Sequence, residues 1–323
     1  MKTANITGFR RFALALAAIL CLFTEHATGE ALRVGKSTLT SFSYTLLEVG
    51  VESGIFRKHG LEVEASAFGG GPRLIQAMTA GAIDIGLDGG TDMAMIAKGA
   101  PIKTIAPLSG APLEIVIAVR HDGPIKTIED LKGKKIAITG LGTLTGWLTR
   151  ELVRSLGWSD RDVTYVTVSN VAASRALLKA GEIDAVTTDM TTTLQNALKG
   201  EERVLFSLGD VVKDFHMQVI FATDQLIKAK PETVRAFMAA WLDTIAFAKT
   251  NKDATVGIIQ RVLGFDPQVL SNSYDRLIGN YSTDGKFNQL ALAVLAKSYV
   301  DLKLLDKEPD MKSLYTDAFL PNR

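Results

Sequence analysis

A five-residue pattern occurs twice in this chain, one hundred positions apart. Residues 80–84 read AGAID and residues 180–184 read AGEID. Each copy follows apolar residues at helical spacing and precedes a short aliphatic run. The glycine predicts a helix end, because glycine adopts the left-handed backbone without a steric penalty. The aliphatic run predicts a buried parallel strand. Two such units indicate two similar α/β lobes, and a ligand cleft is expected between them.

Strand and helix patterns alternate between residue 32 and about residue 225. Such alternation favours parallel sheets with right-handed crossovers. From Pro231 onward the pattern is helical, and we expect this C-terminal block to pack against the first lobe. The predicted division is a signal peptide at 1–29, lobe 1 at 30–118 with 221–323, and lobe 2 at 119–220. The connections near 119–122 and 215–220 are expected to act as hinges.

The N-terminal segment has the pattern of a secretory signal. Paired arginines at 10 and 11 precede an apolar run over residues 12–23, which is too short to span a bilayer. The alternative is a buried N-terminal helix. Cys21, the single cysteine, lies in this run after Leu20, whereas a bacterial lipoprotein site has a small residue there. We therefore expect an exported periplasmic protein without a lipid anchor, and no disulfide in the mature chain.

The charge balance gives no indication of a nucleic-acid partner. Without Lys2, Arg10, Arg11 and Glu25, the chain carries 33 basic and 34 acidic side chains. Nucleic-acid binding needs a clustered basic face, and the sequence shows none. The hydrophobic fraction of 47% and the charged fraction of 22% are those of an ordinary globular protein.

Polar and small residues follow the predicted strands, where open parallel sheets bind their ligands. Glycine lets backbone amides approach a ligand, and Ser and Thr supply hydroxyls. Taken singly, each hydroxyl fits a helix cap equally well. The candidate ligand-binding residues are Ser37, Thr38, Ser41, Tyr44, Gly70, Gly71, Asp88, Gly89, Thr91, Gly142, Thr143, Thr145, Thr188 and Asp189.

Four aspartates divide into two pairs by their position on the predicted strands. Asp84 and Asp184 start strands, away from the cleft, so a structural role in the preceding turn is expected. Asp88 and Asp189 end the same strands and should lie in or near the cleft.

Three aromatic residues, Phe42, Tyr44 and Trp147, fit either a flat apolar wall for a ligand or the core of a helix.

Motifs for catalysis, cofactors or metals are missing from the sequence. The GLG at 140–142 lacks the third glycine of a dinucleotide fingerprint, since residue 145 is Thr. There is no GxxxxGK[ST], HExxH or GxSxG motif and no pair of histidines at metal-ligand spacing. We expect no catalytic residue, no metal and no cofactor.

The order of several short motifs resembles the periplasmic solute-binding proteins of ABC importers, in the nitrate/sulfonate/taurine and thiamine-precursor group (NMT1/THI5-like). The resemblance covers nearly the whole mature chain. The motifs that carry it are ESGIF at 52–56, GLEV at 60–63, the Gly71-Pro72 helix start, AGAID at 80–84, LKGKKIA at 131–137 and PETVRAF at 231–237.

This resemblance implies a type II periplasmic-binding fold: two α/β lobes with a ligand cleft between them and a helical C-terminal block. It implies a monomer that closes on a small molecule and presents it to an ABC permease. Two departures bear on the ligand. Sulfonate binders of this group tend to have Ser where this chain has Gly70, and a neutral residue where it has Asp88. A carboxylate beside the pocket disfavours a small anion, so we expect a ligand with a cationic or donor group.

Two alternatives stay open on the sequence alone. One is an enzyme on the same fold, similar to the pyrimidine-precursor synthases. The other is a binding protein that reports its ligand to a receptor instead of a permease.

Overall fold

The computed structural model describes residues 31–168 and 170–321, with the side chain of Val171 left aside. The predicted signal peptide at 1–29, with Cys21, lies outside this range. Among the described residues, no helix combines the length and hydrophobicity that a membrane span needs.

The first sheet has five strands in the order β2-β1-β3-β10-β4. Its strands are β1 Leu32–Lys36, β2 Val63–Ala67, β3 Ile85–Gly89, β4 Ile102–Ser109 and β10 Gln218–Thr223. Strand β1 pairs in parallel with β2 and β3, whereas β10 runs antiparallel to β3 and β4.

The second sheet repeats this plan in the order β7-β6-β8-β5-β9. Its strands are β5 Ile115–Arg120, β6 Lys135–Ile138, β7 Thr164–Thr167, β8 Ala185–Asp189 and β9 Glu202–Ser207. Here β5 is the antiparallel strand, paired with β8 and β9.

The expectation of purely parallel sheets is wrong for β5 and β10. Each arrives from the other sheet and hydrogen-bonds its new neighbours along its whole length, in the antiparallel direction. The chain therefore passes between the sheets at residues 110–114 and 208–217. A connection was expected near residues 119–122, but these residues lie at the far end of β5, away from the passage between the sheets. The lobe boundaries drawn after residues 118 and 220 fall inside strands that each belong to a single sheet.

Helices cover both sheets, and their bounds follow the sequence pattern closely. They are α1 Leu46–Glu52, α2 Ile55–Lys58, α3 Gly71–Thr79, α4 Ala94–Ala97, α5 Leu144–Ser155, α6 Val171–Ala180, α7 Met190–Ala197, α8 Asp224–Ala229, α9 Pro231–Thr250, α10 Lys252–Leu263, α11 Pro267–Leu277 and α12 Gln289–Asp301. Helix α9 packs on α1 and α2, where Phe237 stacks on Phe56 at 5.4 Å between ring centroids. The C-terminal block thus covers the first lobe, as predicted.

The repeated motif serves the same purpose in both sheets. Gly81 and Gly181 adopt φ of 73° and 76° and end helices α3 and α6. The carboxylate of Asp84 accepts a hydrogen bond from the backbone N–H of Arg33 in β1, at 3.1 Å, and from the guanidinium of Arg33. The carboxylate of Asp184 accepts one from the backbone N–H of Lys135 in β6, at 2.9 Å. Each acid therefore links the start of its own strand to the neighbouring parallel strand by a hydrogen bond, which is a structural role.

Candidate ligand-binding site

A cavity of about 640 Å³ lies between the two sheets. It is bounded by residues that end or follow β1, β3 and β8, so strands of both sheets meet there. Its lining is Ser37, Thr38, Thr40, Ser41, Phe42, Tyr44, Gly70, Gly71, Asp88, Gly89, Thr91, Asp92, Glu114, Ile115, Thr139, Thr143, Leu144, Thr145, Asp189, Met190, Thr191, Met217 and Gln218.

All of the predicted site residues except Gly142 and Thr188 line this cavity. Gly142 is exposed, one position outside the lining, on the loop before α5. Thr188 is buried, and its hydroxyl accepts a hydrogen bond from Arg175 at 3.3 Å. Since neighbouring strand residues point to opposite faces, Asp189 reaches the cavity and Thr188 does not. Contact between these residues and a ligand stays a prediction.

The aromatic candidates divide between the two roles expected of them. Phe42 and Tyr44 line the cavity and are almost fully buried, so they form an apolar wall. Trp147 does not line it. Its ring stacks on Phe215 at 5.3 Å between centroids, and its indole N–H donates to Asp301 at 3.2 Å. Trp147 therefore belongs to the core.

Asp88 occupies the innermost polar position of the cavity. It lies on the central strand β3 and is only 2% exposed. Its Oδ1 accepts a hydrogen bond from the N–H of Gly89 at 2.8 Å, whereas its Oδ2 is buried without a hydrogen-bond partner. Burial, and next the charge of Asp92, raise the pKa of Asp88 well above its ordinary value; a hydrogen bond from Ser37 opposes this.

Asp92 lies beside Asp88 on a short 3₁₀ turn, Gly90–Met93. The hydroxyl of Tyr299 in α12 donates to the carbonyl of Gly90 at 3.0 Å and so holds this turn. Burial raises the pKa of Asp92 to about 6. Two carboxylates with raised pKa values in one cleft make this cavity a candidate functional site.

Two glycines at the start of α3 make room for these carboxylates. A Cβ on Gly71 would lie 2.7 Å from an oxygen of Asp88 and 2.7 Å from an oxygen of Asp92. Gly70 has φ of 118°, a conformation that residues with side chains rarely adopt. The backbone thus accounts for Gly70 at the position where sulfonate binders tend to have Ser.

Glu114 lies on the first connection between the sheets and is the third acid of the cavity. Its carboxylate accepts hydrogen bonds from Ser43 at 2.8 Å and from the amide of Gln218. The hydroxyl of Ser109 in turn donates to the side-chain amide oxygen of Gln218. Burial raises the pKa of Glu114 to about 7, although both hydrogen bonds oppose this. Both oxygens of this carboxylate therefore accept a hydrogen bond from within the protein.

The second lobe contributes hydroxyls and a fourth acid. Thr139, Thr143 and Thr145 hydrogen-bond to one another at 2.7–3.0 Å, and Thr143 caps α5. Asp189 caps α7 by accepting the N–H of Thr192 at 2.7 Å. For Thr143, the capping role considered from sequence is present together with a place in the cavity lining, and Asp189 combines the predicted place in the cleft with a capping role.

The lining is strongly acidic. It contains four carboxylates and, within the described residues, no lysine, arginine or histidine side chain. Lys36, the residue before Ser37, is buried and paired with Glu48, and Arg175 pairs with Glu202 at 3.0 Å and with Asp189 at 3.5 Å. No cationic side chain of the described lining would offset the cost of removing an anion from water there.

Sequence reasoning missed several lining residues. Of these, Asp92 and Glu114 are the titratable residues. Asp92 lies four positions after Asp88, and Glu114 directly precedes the apolar strand β5. A charged residue bordering a buried strand is a usable signal in both cases. Gln218 was placed at the start of a strand, and nothing in the sequence indicates that its side chain meets Glu114.

A family model described as "NMT1/THI5 like" matches residues 41–255 of this chain. The chain belongs to this family. A relative from Escherichia coli (strain K12), provisionally named an aliphatic sulfonates-binding protein, is 25% identical over 275 residues, 81% of this chain and 82% of the relative.

Solved structures agree on the fold. The periplasmic aliphatic sulphonate binding protein SsuA from Escherichia coli superposes with a TM-score of 0.75 at 20% identity, over 89% of this chain and 98% of SsuA. The desulfurization enzyme DSZB superposes with a TM-score of 0.63 at 16% identity, over 89% of this chain and 97% of DSZB. The predicted family, the periplasmic-binding fold and the class of ligand-binding protein are confirmed. Because DSZB has the same fold, the fold alone does not exclude catalysis.

Proposed function

We propose that this protein captures a small organic molecule bearing a cationic or hydrogen-bond-donating group, and delivers it to the permease of an ABC importer. The observation that carries the proposal is the cavity between the sheets, lined by Asp88, Asp92, Glu114 and Asp189 and by no cationic side chain of the described residues. Phe42 and Tyr44 supply an apolar wall, so an amine on an aromatic ring, an aminopyrimidine for example, fits the lining.

The relative's name points to sulfonates, and the cavity supports a different ligand. A sulfonate is a permanent anion and would lie among carboxylates, one of which, Asp88, has a buried oxygen free to accept a hydrogen bond. A ligand N–H would satisfy that oxygen, while a sulfonate oxygen would repel it.

A binding role also fits the reactive groups present. The cavity lining, as far as the structure describes it, has no histidine, lysine or cysteine, so the Ser–His and Cys–His pairs of covalent catalysis do not form there. The alternative function, an enzyme on this fold, therefore has less support from the site than a binding role.

Closure, location and assembly are part of the same proposal. The two connections at 110–114 and 208–217 are the hinges about which the lobes close. They border lobe 1, residues 31–109 with 218–321, and lobe 2, residues 115–207. The protein works as a periplasmic monomer, exported by the N-terminal signal and docking on the permease when closed.

Calorimetric titration with matched ligands tests this function. Benzylamine and 4-aminopyrimidine should bind, whereas taurine and benzenesulfonate should not. Tight binding of either sulfonate, together with no heat from the amines, would overturn the proposed ligand class.

A further inference from the structure

Asp88 and Asp92 form an unusually close pair. Both carboxylates lie over the α-carbon of Gly71, with one oxygen of each 2.7 Å from the position of a Cβ there. Two oxygens at that distance from one point are no more than about 5.4 Å apart. One of them, Oδ2 of Asp88, is buried and has no hydrogen-bond partner, although it lines the cavity.

Among the described residues, no cationic side chain lines the cavity beside this pair. The titratable groups that face it are Tyr44 from the loop after β1, Tyr299 of α12 and, farther along the wall, Glu114. The two tyrosines are neutral, since burial raises the pKa of each well above its ordinary value. Ser37 donates a hydrogen bond to Asp88, and the charge of Asp92 acts on Asp88. Two carboxylates within about 5.4 Å of each other and shielded from water repel one another when both are ionised, which favours holding a proton at the pair.

We propose that the empty site holds one proton between Asp88 and Asp92, and that a ligand nitrogen carrying at least two N–H groups takes its place. This inference rests on the proposed function, and it specifies the group that the ligand must carry. It also makes capture of the ligand dependent on pH.

The exchange balances in charge and protons. In the empty site Asp88 is the acid and donates to the carboxylate of Asp92. When a protonated amine enters, Asp88 releases its proton to solvent, and the amine donates one N–H to Asp88 and another to Asp92. No other bond changes, and one proton leaves for each amine bound. The raised pKa of Asp88, and that of Asp92 at about 6, agree with a proton held in the empty site near neutral pH.

Titration calorimetry with benzylamine tests the exchange. Its affinity should rise with pH, by up to tenfold per pH unit between pH 5 and the pKa of the pair, and then level off. At about pH 6.5, titrations in phosphate and in bis-Tris buffer, a tertiary amine, should differ in heat by the release of about one proton. Benzyltrimethylammonium, a cation with no N–H, should bind at least tenfold more weakly than benzylamine.

Two substitutions distinguish the contribution of this pair to ligand binding from that of another aspartate in the protein. Asp88→Asn should abolish both the pH dependence and the proton release, and should weaken benzylamine binding at pH 8 at least tenfold. Asp184→Asn is the matched control. It makes the same Asp-to-Asn change at an aspartate that accepts a backbone hydrogen bond at a strand start and does not line the cavity. It should leave the affinity and its pH dependence as in the parent protein.

An infrared measurement on the empty protein needs no ligand. The absorption of a protonated carboxyl group should be present at pH 6 and reduced in Asp88→Asn but not in Asp184→Asn. If that band behaves as expected and no amine binds at any pH, the proposed function fails and the shared proton stands. Benzylamine binding that does not vary between pH 5 and 8, or a band unaffected by Asp88→Asn, would overturn the inference.

Discussion

The ends of strands β3 and β8 can be compared directly, since each follows a copy of the same motif. At the end of β8, Asp189 caps α7 and lies 3.5 Å from Arg175, so its carboxylate has partners within the protein. At the end of β3, Asp88 has an oxygen without a partner and an acidic neighbour, Asp92. The side chain of Asp189 is 45% exposed, whereas Asp88 is 2% exposed.

This difference shows how one α/β unit serves two purposes. The second copy uses its terminal acid to complete a helix, and the carboxylate adds to stability. The first copy buries its acid beside a second acid, where one oxygen has no donor from the described protein and a proton is held instead. This arrangement lowers stability until a ligand donor arrives. Stability lost in the empty state is recovered in ligand affinity, as expected of a site built for capture.

The pH dependence of stability is the largest effect that this comparison predicts. Asp92 binds its proton more tightly in the folded state, with a pKa of about 6 against 3.8. The folded protein therefore holds more protons than the unfolded chain, and stability falls as pH rises from about 4 to about 7. Two pKa units correspond to about 3 kcal/mol. Urea unfolding of the empty protein at pH 5 and pH 8 measures the part of this loss that lies above pH 5, about 1.4 kcal/mol.

The variant Asp92→Asn isolates that contribution. Its stability should change by about 1.4 kcal/mol less between pH 5 and pH 8 than that of the parent. An equal pH dependence in both proteins would contradict the account of the acidic pair.

Gly71→Ala tests the space that the pair occupies. The new methyl group would lie 2.7 Å from oxygens of both Asp88 and Asp92, so the carboxylates must move. We expect a loss of about 2 kcal/mol in unfolding free energy and a loss of benzylamine binding. Gly279→Ala is the control, since a Cβ there meets no atom within 4 Å. Retention of full affinity by Gly71→Ala would show that the pair does not contact the ligand.

The repeated acids at the strand starts should differ in the opposite direction, with the first copy contributing more to stability, by a smaller amount. Asp84→Ala removes the acceptor of one backbone N–H and of the Arg33 guanidinium, and Asp184→Ala removes the acceptor of one backbone N–H. We expect losses of about 1.5 and about 1 kcal/mol, measured by thermal or urea unfolding. A larger loss for Asp184→Ala would reverse the comparison between the lobes.

Much of the fold could be predicted from the sequence because the signals are local. The Gly81 and Gly181 helix ends and helix α9 at Pro231–Thr250 follow from turn chemistry and from apolar spacing. The direction of β5 and β10 could not be predicted, since an apolar strand carries no mark of whether its partners run parallel or antiparallel to it.

The site was predictable where it follows strand ends and missed where it depends on packing. Asp88 and Asp189 were expected from their position on β3 and β8. The contact of Gln218 with Glu114 joins residues 104 positions apart, one at the start of β10 and the other on the first connection between the sheets. Periodicity does not reveal such a contact, and Trp147 was ambiguous for the same reason: its partner Phe215 lies far along the chain.

The most direct test of the central claim is native mass spectrometry of the protein purified from its own host, with the retained cargo released and identified. We expect a small organic molecule with a basic nitrogen that carries two or more N–H groups, displaced when Asp88 is replaced by Asn. A sulfonate or another anion recovered as the cargo, held equally well by the Asp88→Asn variant, would contradict the account.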